Sequence, residues 1–260
     1  NEEAVLSSWV TLQNRSGASF EDATVKLVAG DIHRAAPKGR GGPEAVTMDM
    51  QALARRAPVS ERQVFEYYLY EINFPTDLHQ NAMKQVVFRE PAEIATDRVY
   101  SFEHAERENV KSENVNVEIT FQNSESNELG LALPAGIVRM MQKDEDGSEI
   151  LVGEDRIQHT PKDEEVRLQA GSAFDIVGDR KITNIERRGD DFERISVQIN
   201  LRNHKDDAVT VLVRENFYGD WEVLNSTHDE EKIDANTLEF SVRVPSDGET
   251  EIQYTIERLR

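Results

Sequence analysis

Apolar and polar residues alternate along most of this chain. Val197, Ile199 and Leu201 take every second position, and so do Val209, Val211 and Val213. A strand with one buried face repeats every two residues, so the alternation predicts strands, with the polar clusters between them as turns. One five-residue phrase recurs three times: VTLQN at 10–14, ITFQN at 119–123 and INLRN at 199–203. Each copy runs apolar, polar, apolar, polar, Asn, and a second alternating arm follows each of them. Asn tolerates left-handed backbone angles and bonds its own main chain, which suits a strand end. The expectation is a hairpin mouth used three times, each phrase ending a strand paired antiparallel with the strand that follows. Gly30 and Gly136 follow an Ala after the second arm in the first two copies, where a glycine supplies a bulge or bend. Val10, Leu12, Ile119, Phe121, Val197, Ile199, Leu201, Val211 and Val213 are the expected core positions.

Further strands are expected at 66–72, 83–90, 97–103, 136–142, 149–158, 164–170, 174–188, 193–203, 237–245 and 249–259. Short strands at such intervals, without helical repeats, predict an all-β fold of tandem antiparallel β-sandwich, immunoglobulin-like domains. Residues 35–64 break the rhythm with a long connection. There Pro43 suits a helix opening, Val46, Met50 and Leu53 form one stripe, and Arg55 and Arg56 suit a helix end. A short helix-containing insert is expected, basic against an acidic body. The polar run at 104–114 divides the chain into residues 1–110, with the insert, and residues 111–260. The second part is one sandwich, or two small ones sharing the ribbon 174–203.

Composition narrows the function classes. The 260 residues carry 50 acidic and 30 basic side chains, a net charge of −20. Such a surface repels nucleic acid and anionic lipid, whose binders need a positive footprint. The cysteine count is zero, which removes disulfides, thiolate metal sites and cysteine nucleophiles. No apolar run approaches the ~18–20 residues of a membrane helix, so no membrane insertion of this segment is expected. Residues 1–10 lack the basic start and apolar stretch of a signal peptide.

Candidate chemistry is thin. The sequence holds no catalytic triad, phosphate loop or dinucleotide fingerprint, and the six histidines stand apart without ligand spacing. His159 and His204 read as surface residues. The stretch 143–165 has nine acids and three bases, and Asp144 and Asp146 in DEDG loosely resemble a calcium loop, but the spacing of an EF-hand fails. The expectation is no cofactor, with calcium near those two residues as the alternative to solvated turn residues. In FEYYLYEI, Phe65, Tyr67 and Leu69 share one face and Glu66, Tyr68 and Tyr70 the other, which fits a strand buried on both sides.

Several phrases together carry a resemblance: SSWVTLQN with the residues to 34, FEYYLYEINFP to 88, LPAGIVRMMQ to 181, then GDWEV and PSDGETEIQYTI. In that order they resemble the bacterial domain-of-unknown-function family 4139, related to mucoidy-inhibitor-A-like proteins. The resemblance implies an all-β domain of exported, periplasmic or extracellular proteins and offers no catalytic residues. It also implies strands upstream of the first phrase, so Trp9, Val10, Thr11, Leu12 and Gln13 are expected to form an open edge. That edge would pair with a protein partner or a second copy. The expected function is a non-enzymatic envelope or extracellular interaction or scaffold protein. The alternative is a hydrolase or carbohydrate-binding module with a carboxylate-lined cleft.

Overall fold

The computed structural model describes residues 2–30, 59–64, 67–188 and 192–259. Strands dominate the described residues. The first six are β1 (Glu2–Gln13), β2 (Phe20–Ala23), β3 (Lys26–Ala29), β4 (Val59–Val64), β5 (Tyr67–Ile72) and β6 (Thr76–Leu78). The middle of the chain forms β7 (Met83–Ala105), β8 (Val110–Gln122), β9 (Gly136–Lys143), β10 (Glu149–Ile157) and β11 (Glu165–Arg188). The last six are β12 (Phe192–Asn203), β13 (Val209–Asn216), β14 (Trp221–Ser226), β15 (Glu230–Lys232), β16 (Thr237–Val244) and β17 (Gly248–Leu259). A single turn of 3-10 helix, Glu125–Asn127, follows β8.

Two pairs of expected strands are fused. β7 joins the segments at 83–90 and 97–103, and Pro91 is tolerated because it lies where the pairing with β1 slips between Leu6↔Ala92 and Ser8↔Arg89. β11 joins those at 164–170 and 174–188 across register shifts beside Gly171, whose φ is +130°. The insert expected at 35–64 gives up Val59–Val64, which is β4, paired antiparallel with β5. The helix expected from Pro43 lies outside the described residues.

The main sheet has ten strands, in the order β14-β17-β12-β11-β8-β7-β13-β16-β15, with β1 paired to β7. It is mixed, because β13 runs parallel to β7 from Val211↔Tyr100 to Asn216↔Ala105. Smaller sheets are β10-β9, β2-β6 and β3-β5-β4. Three apolar clusters hold these layers. In the largest, Ile195, Val197, Ile199 and Leu201 of β12 and Ile252 and Ile256 of β17 pack with Val211 and Val213 of β13 and Phe240 of β16. The two wings of the sheet therefore face one another. The second cluster gathers Ile94, Phe121, Val166 and Leu168, and the third Val59, Tyr70, Ile72, Val86 and Phe88. β7 feeds all three, through Val86 and Phe88, then Ile94, then Phe102. All nine expected core positions lie in these clusters or pack against them.

The repeated phrase ends strands β1, β8 and β12, but the expected hairpins do not form. β1 pairs with β7, β8 with β7 and β11, and β12 with β11 and β17. β13, which follows the third copy, joins β16 and β7 in the opposite wing. In each copy the Asn side chain is buried and bonds across the loop. Asn203 Nδ2 donates to Asp207 O at 2.8 Å and Pro245 O at 3.0 Å, and its Oδ1 accepts from Lys205 N at 3.0 Å. Asn14 repeats the pattern with Ala18 O and Leu78 O, each at 2.8 Å, and with Ser16 N at 3.1 Å. Asn123 donates to Leu131 O and Pro161 O, each at 2.8 Å. Each amide thus ties its own loop to a second turn. Each second turn carries an Asx residue in the left-handed region: Asn81 (φ 60°), Asp163 (φ 66°) and Asp247 (φ 43°).

Candidate functional site

The residues expected to form an open edge, Trp9, Val10, Thr11, Leu12 and Gln13, lie on β1. They pair with Val87, Val86, Gln85, Lys84 and Met83 of β7. Alternation divides them. Val10 and Leu12 turn inward against the third cluster, beside Tyr68 and Tyr70. Trp9 and Met83 turn outward, 56% and 67% exposed. A register shift between Ser8 and Trp9 marks a bulge just before the tryptophan. The strand continues upstream of Trp9 to Glu2, whose carboxylate meets Arg98 Nη2 at 2.9 Å. Among the described residues, β7 is the one strand paired with β1, so the far side of β1 carries an unpaired row of main-chain groups.

The third cluster is locked to the second beneath this edge. Tyr70 Oη donates to Ala132 O at 2.8 Å while Glu61 Oε2 accepts from Ala132 N at 2.9 Å. Burial pushes the Glu61 carboxyl up, and the Ala132 N–H and Tyr70 hydroxyl oppose that shift. Tyr70 is buried and Tyr67, Tyr68 and Leu69 are half-buried, in keeping with burial on both faces of β5.

The calcium candidates serve a turn. Asp144 Oδ1 accepts from Glu145 N and Asp146 Oδ1 from Ser148 N, each at 2.8 Å, in the exposed loop between β9 and β10. The Ser148 donors hold the Asp146 carboxyl below its ordinary value. Among the described residues, no group of three His, Asp or Glu side chains is placed to hold a metal ion. His159 and His204 are exposed; His159 Nδ1 accepts from Ala135 N at 3.1 Å.

The densest polar chemistry lies in the large cluster. Arg180 of β11, Glu215 of β13 and Tyr254 of β17 all face inward, although β13 belongs to the opposite wing. Arg180 Nε lies 2.9 Å and 3.0 Å from the two Glu215 oxygens, and Nη2 lies 2.6 Å from Oε2. The Tyr254 hydroxyl donates to the same carboxylate. The remaining guanidinium donors reach the carbonyls of Glu106 and Glu108, in the turn expected to be a boundary. Burial works against the Arg180 charge, but Glu215 outweighs it and holds the guanidinium above its ordinary value. Burial also pushes the Glu215 carboxyl up, against the pull of Arg180 and Tyr254. The bidentate contact pairs the guanidinium with the carboxylate. Neither side chain has any exposure to solvent, so the pair cannot reach a substrate.

A second charged group borders it. Glu193, buried on β12, accepts from Arg258 Nη2 at 3.2 Å and from Arg107. Arg258 Nη1 also meets Glu106 Oε1 at 2.7 Å. His104 is buried beside Phe102, its Nδ1 3.2 Å from Glu108 Oε2 and its Nε2, 3.9 Å from Glu113 Oε1, without a hydrogen-bond partner among the described residues. Next to Arg258 is a shallow hollow of about 280 Å³, lined by Phe192, Trp221, Glu257 and Leu259 among others. The comparisons add no relatives: no family model, curated protein or solved structure matches this chain.

Proposed function

We propose that this chain is a non-enzymatic interaction or scaffold protein built from immunoglobulin-like β-sandwich units, and that it meets its protein partner, or a second copy, along β1. The open edge of β1 carries the reading. An unpaired strand edge is a template for strand addition, and an exposed tryptophan beside it is the side chain most enriched where binding energy concentrates. The arginine-held state of Glu193 and Glu215 supports a structural use for the buried carboxylates instead of a pair facing across a cleft. Placement in the bacterial envelope or exterior belongs to the same proposal and rests on the family resemblance alone.

The test is light scattering across a concentration range, combined with hydrogen exchange at residues 9–13. Association through β1 is expected to be weakened by Trp9→Ser and to protect amides on both sides of the strand. A strict monomer whose residues 9–13 are already protected on both sides rules out the self-associating form. The partner-binding form fails if Trp9→Ser leaves capture of a bound protein unchanged.

A further inference from the structure

A second surface, separate from β1, stands out on the ribbon of β9 and β10. The two strands pair antiparallel from Gly136↔Ile157 to Lys143↔Glu149. The base of the ribbon is fixed to the body. Val138, Met140 and Ile157 pack against the second apolar cluster, and Asp155 Oδ2 accepts from Gln169 N of β11 at 2.7 Å. Gly153 lies so close to β11 that a Cβ there would stand 2.7 Å from Ala170 O. Past Met140 the ribbon leaves the body, and every residue from Met141 to Val152 is exposed.

A free arm in water should be polar throughout, but this one carries four large apolar side chains. Met141 (49%), Ile150 (49%), Leu151 (53%) and Val152 (44%) are all large, apolar and exposed. Met141 and Leu151 oppose each other on one face, and Ile150, paired with Gln142, takes the other. A lone two-stranded ribbon is marginal in water, yet its tip is well built. Asp144 N donates to Ser148 O at 2.8 Å, and Gly147 N, in the left-handed region, donates to Asp144 O at 3.0 Å. Among the described residues neither outer edge of the ribbon is paired.

We propose that the distal ribbon, Met141–Val152, is a docking surface for an extended segment of another protein that carries alternating apolar and basic side chains. The segment adds a strand along an open ribbon edge, taking main-chain bonds there and side-chain contacts with Met141 and Leu151. Charge selects this occupant. Between 141 and 152 there are four acids (Asp144, Glu145, Asp146, Glu149) and one base (Lys143), a net −3. A second copy docking here would bring the same acidic tip, so like charges would meet at this surface. A Lys- or Arg-bearing strand is attracted by the tip.

The probe is a short synthetic peptide of alternating valine and lysine, labelled and titrated with the full chain. One control replaces lysine with glutamate, and another carries N-methyl groups on all backbone nitrogens. The valine–lysine peptide is expected to bind and both controls to fail. Met141→Ser combined with Leu151→Ser keeps every charge and should weaken binding at least about tenfold, as for an interface anchor. Trp9→Ser should leave it unchanged, so failure of the β1 proposal and failure of this one are distinguishable. The substituted side chains are exposed, and an unchanged melting temperature shows that the variant folds. Unchanged binding in the ribbon variant overturns the proposal, as does equal binding of the glutamate or N-methylated peptide. A concentration-dependent dimer abolished by the ribbon variant would assign the surface to a second copy instead.

Discussion

Arg180 on β11 and Glu215 on β13 meet with Nη2 2.6 Å from Oε2, bridging the two wings of the sheet where neither side chain touches water. Both sit on inward positions of strands whose other inward residues are apolar, so removing one partner leaves a buried, uncompensated charge. Glu215→Ala is expected to cost about 3–5 kcal/mol in chemical denaturation, well above the cost of losing an exposed pair. Replacing both, with Arg180→Met and Glu215→Leu, should recover much of that loss because no orphan charge remains. A single substitution costing under about 1 kcal/mol would place the pair within reach of water.

Glu193 makes folding sensitive to acid. Burial opposes its charge, but Arg107 and Arg258 outweigh it and hold the carboxyl below its ordinary value of 4.5. The unfolded chain therefore takes up this proton at a higher pH than the folded one. The stabilisation is fully present above 4.5 and is lost as pH falls below it toward the depressed folded value. Melting temperature measured from neutral pH downward should fall more steeply for the native chain than for Glu193→Gln. Parallel curves would show that Glu193 titrates alike in both states.

Strand existence was legible because alternation over six or more residues has one simple cause, a pleated strand with one wet face. β12 shows it plainly, from Ile195 through Leu201, and β16 and β17 do likewise. Pairing was not legible, since period two says which face is buried and nothing about which neighbour lies alongside. Asn203 continues the inward set of Ile199 and Leu201, and that parity was the available sign of a buried side chain. The same reasoning would have found Glu215, which follows Val211 and Val213 at the same spacing. Met141 has the parity of exposed Ile137 and Arg139, opposite to Val138 and Met140. Period two therefore put it on the outer face and gave no sign that its partner Leu151 would be apolar and exposed as well.

Calcium is expected to do little. The Asp144 and Asp146 carboxylates already accept main-chain N–H groups of their own turn and are open to water. Adding millimolar calcium to chelator-treated protein should leave the melting temperature unchanged within about a degree. A saturated site would stabilise by several kcal/mol, about 4 at a thousandfold excess over Kd. A rise of many degrees would show that the ion reorganises this turn.

The repeated asparagine supplies the last prediction. Asn203 has no exposure, and its three short bonds join the end of β12 to Lys205, Asp207 and Pro245. In Asn203→Ala those main-chain groups lose their buried side-chain partner, which should cost about 1–3 kcal/mol. Asn203→Asp should be worse. It puts a carboxylate oxygen where Nδ2 now faces the Asp207 and Pro245 carbonyls, and buried acceptors would then oppose one another. Asn203→Ala should also speed exchange of the Lys205 amide, which loses its acceptor Oδ1. Chemical denaturation and hydrogen exchange on the three proteins check the order native, Ala, Asp. If the alanine variant stays within about 0.5 kcal/mol of the native chain, Asn203 is an ordinary turn residue and the phrase INLRN does not direct the crossing from β12 to β13.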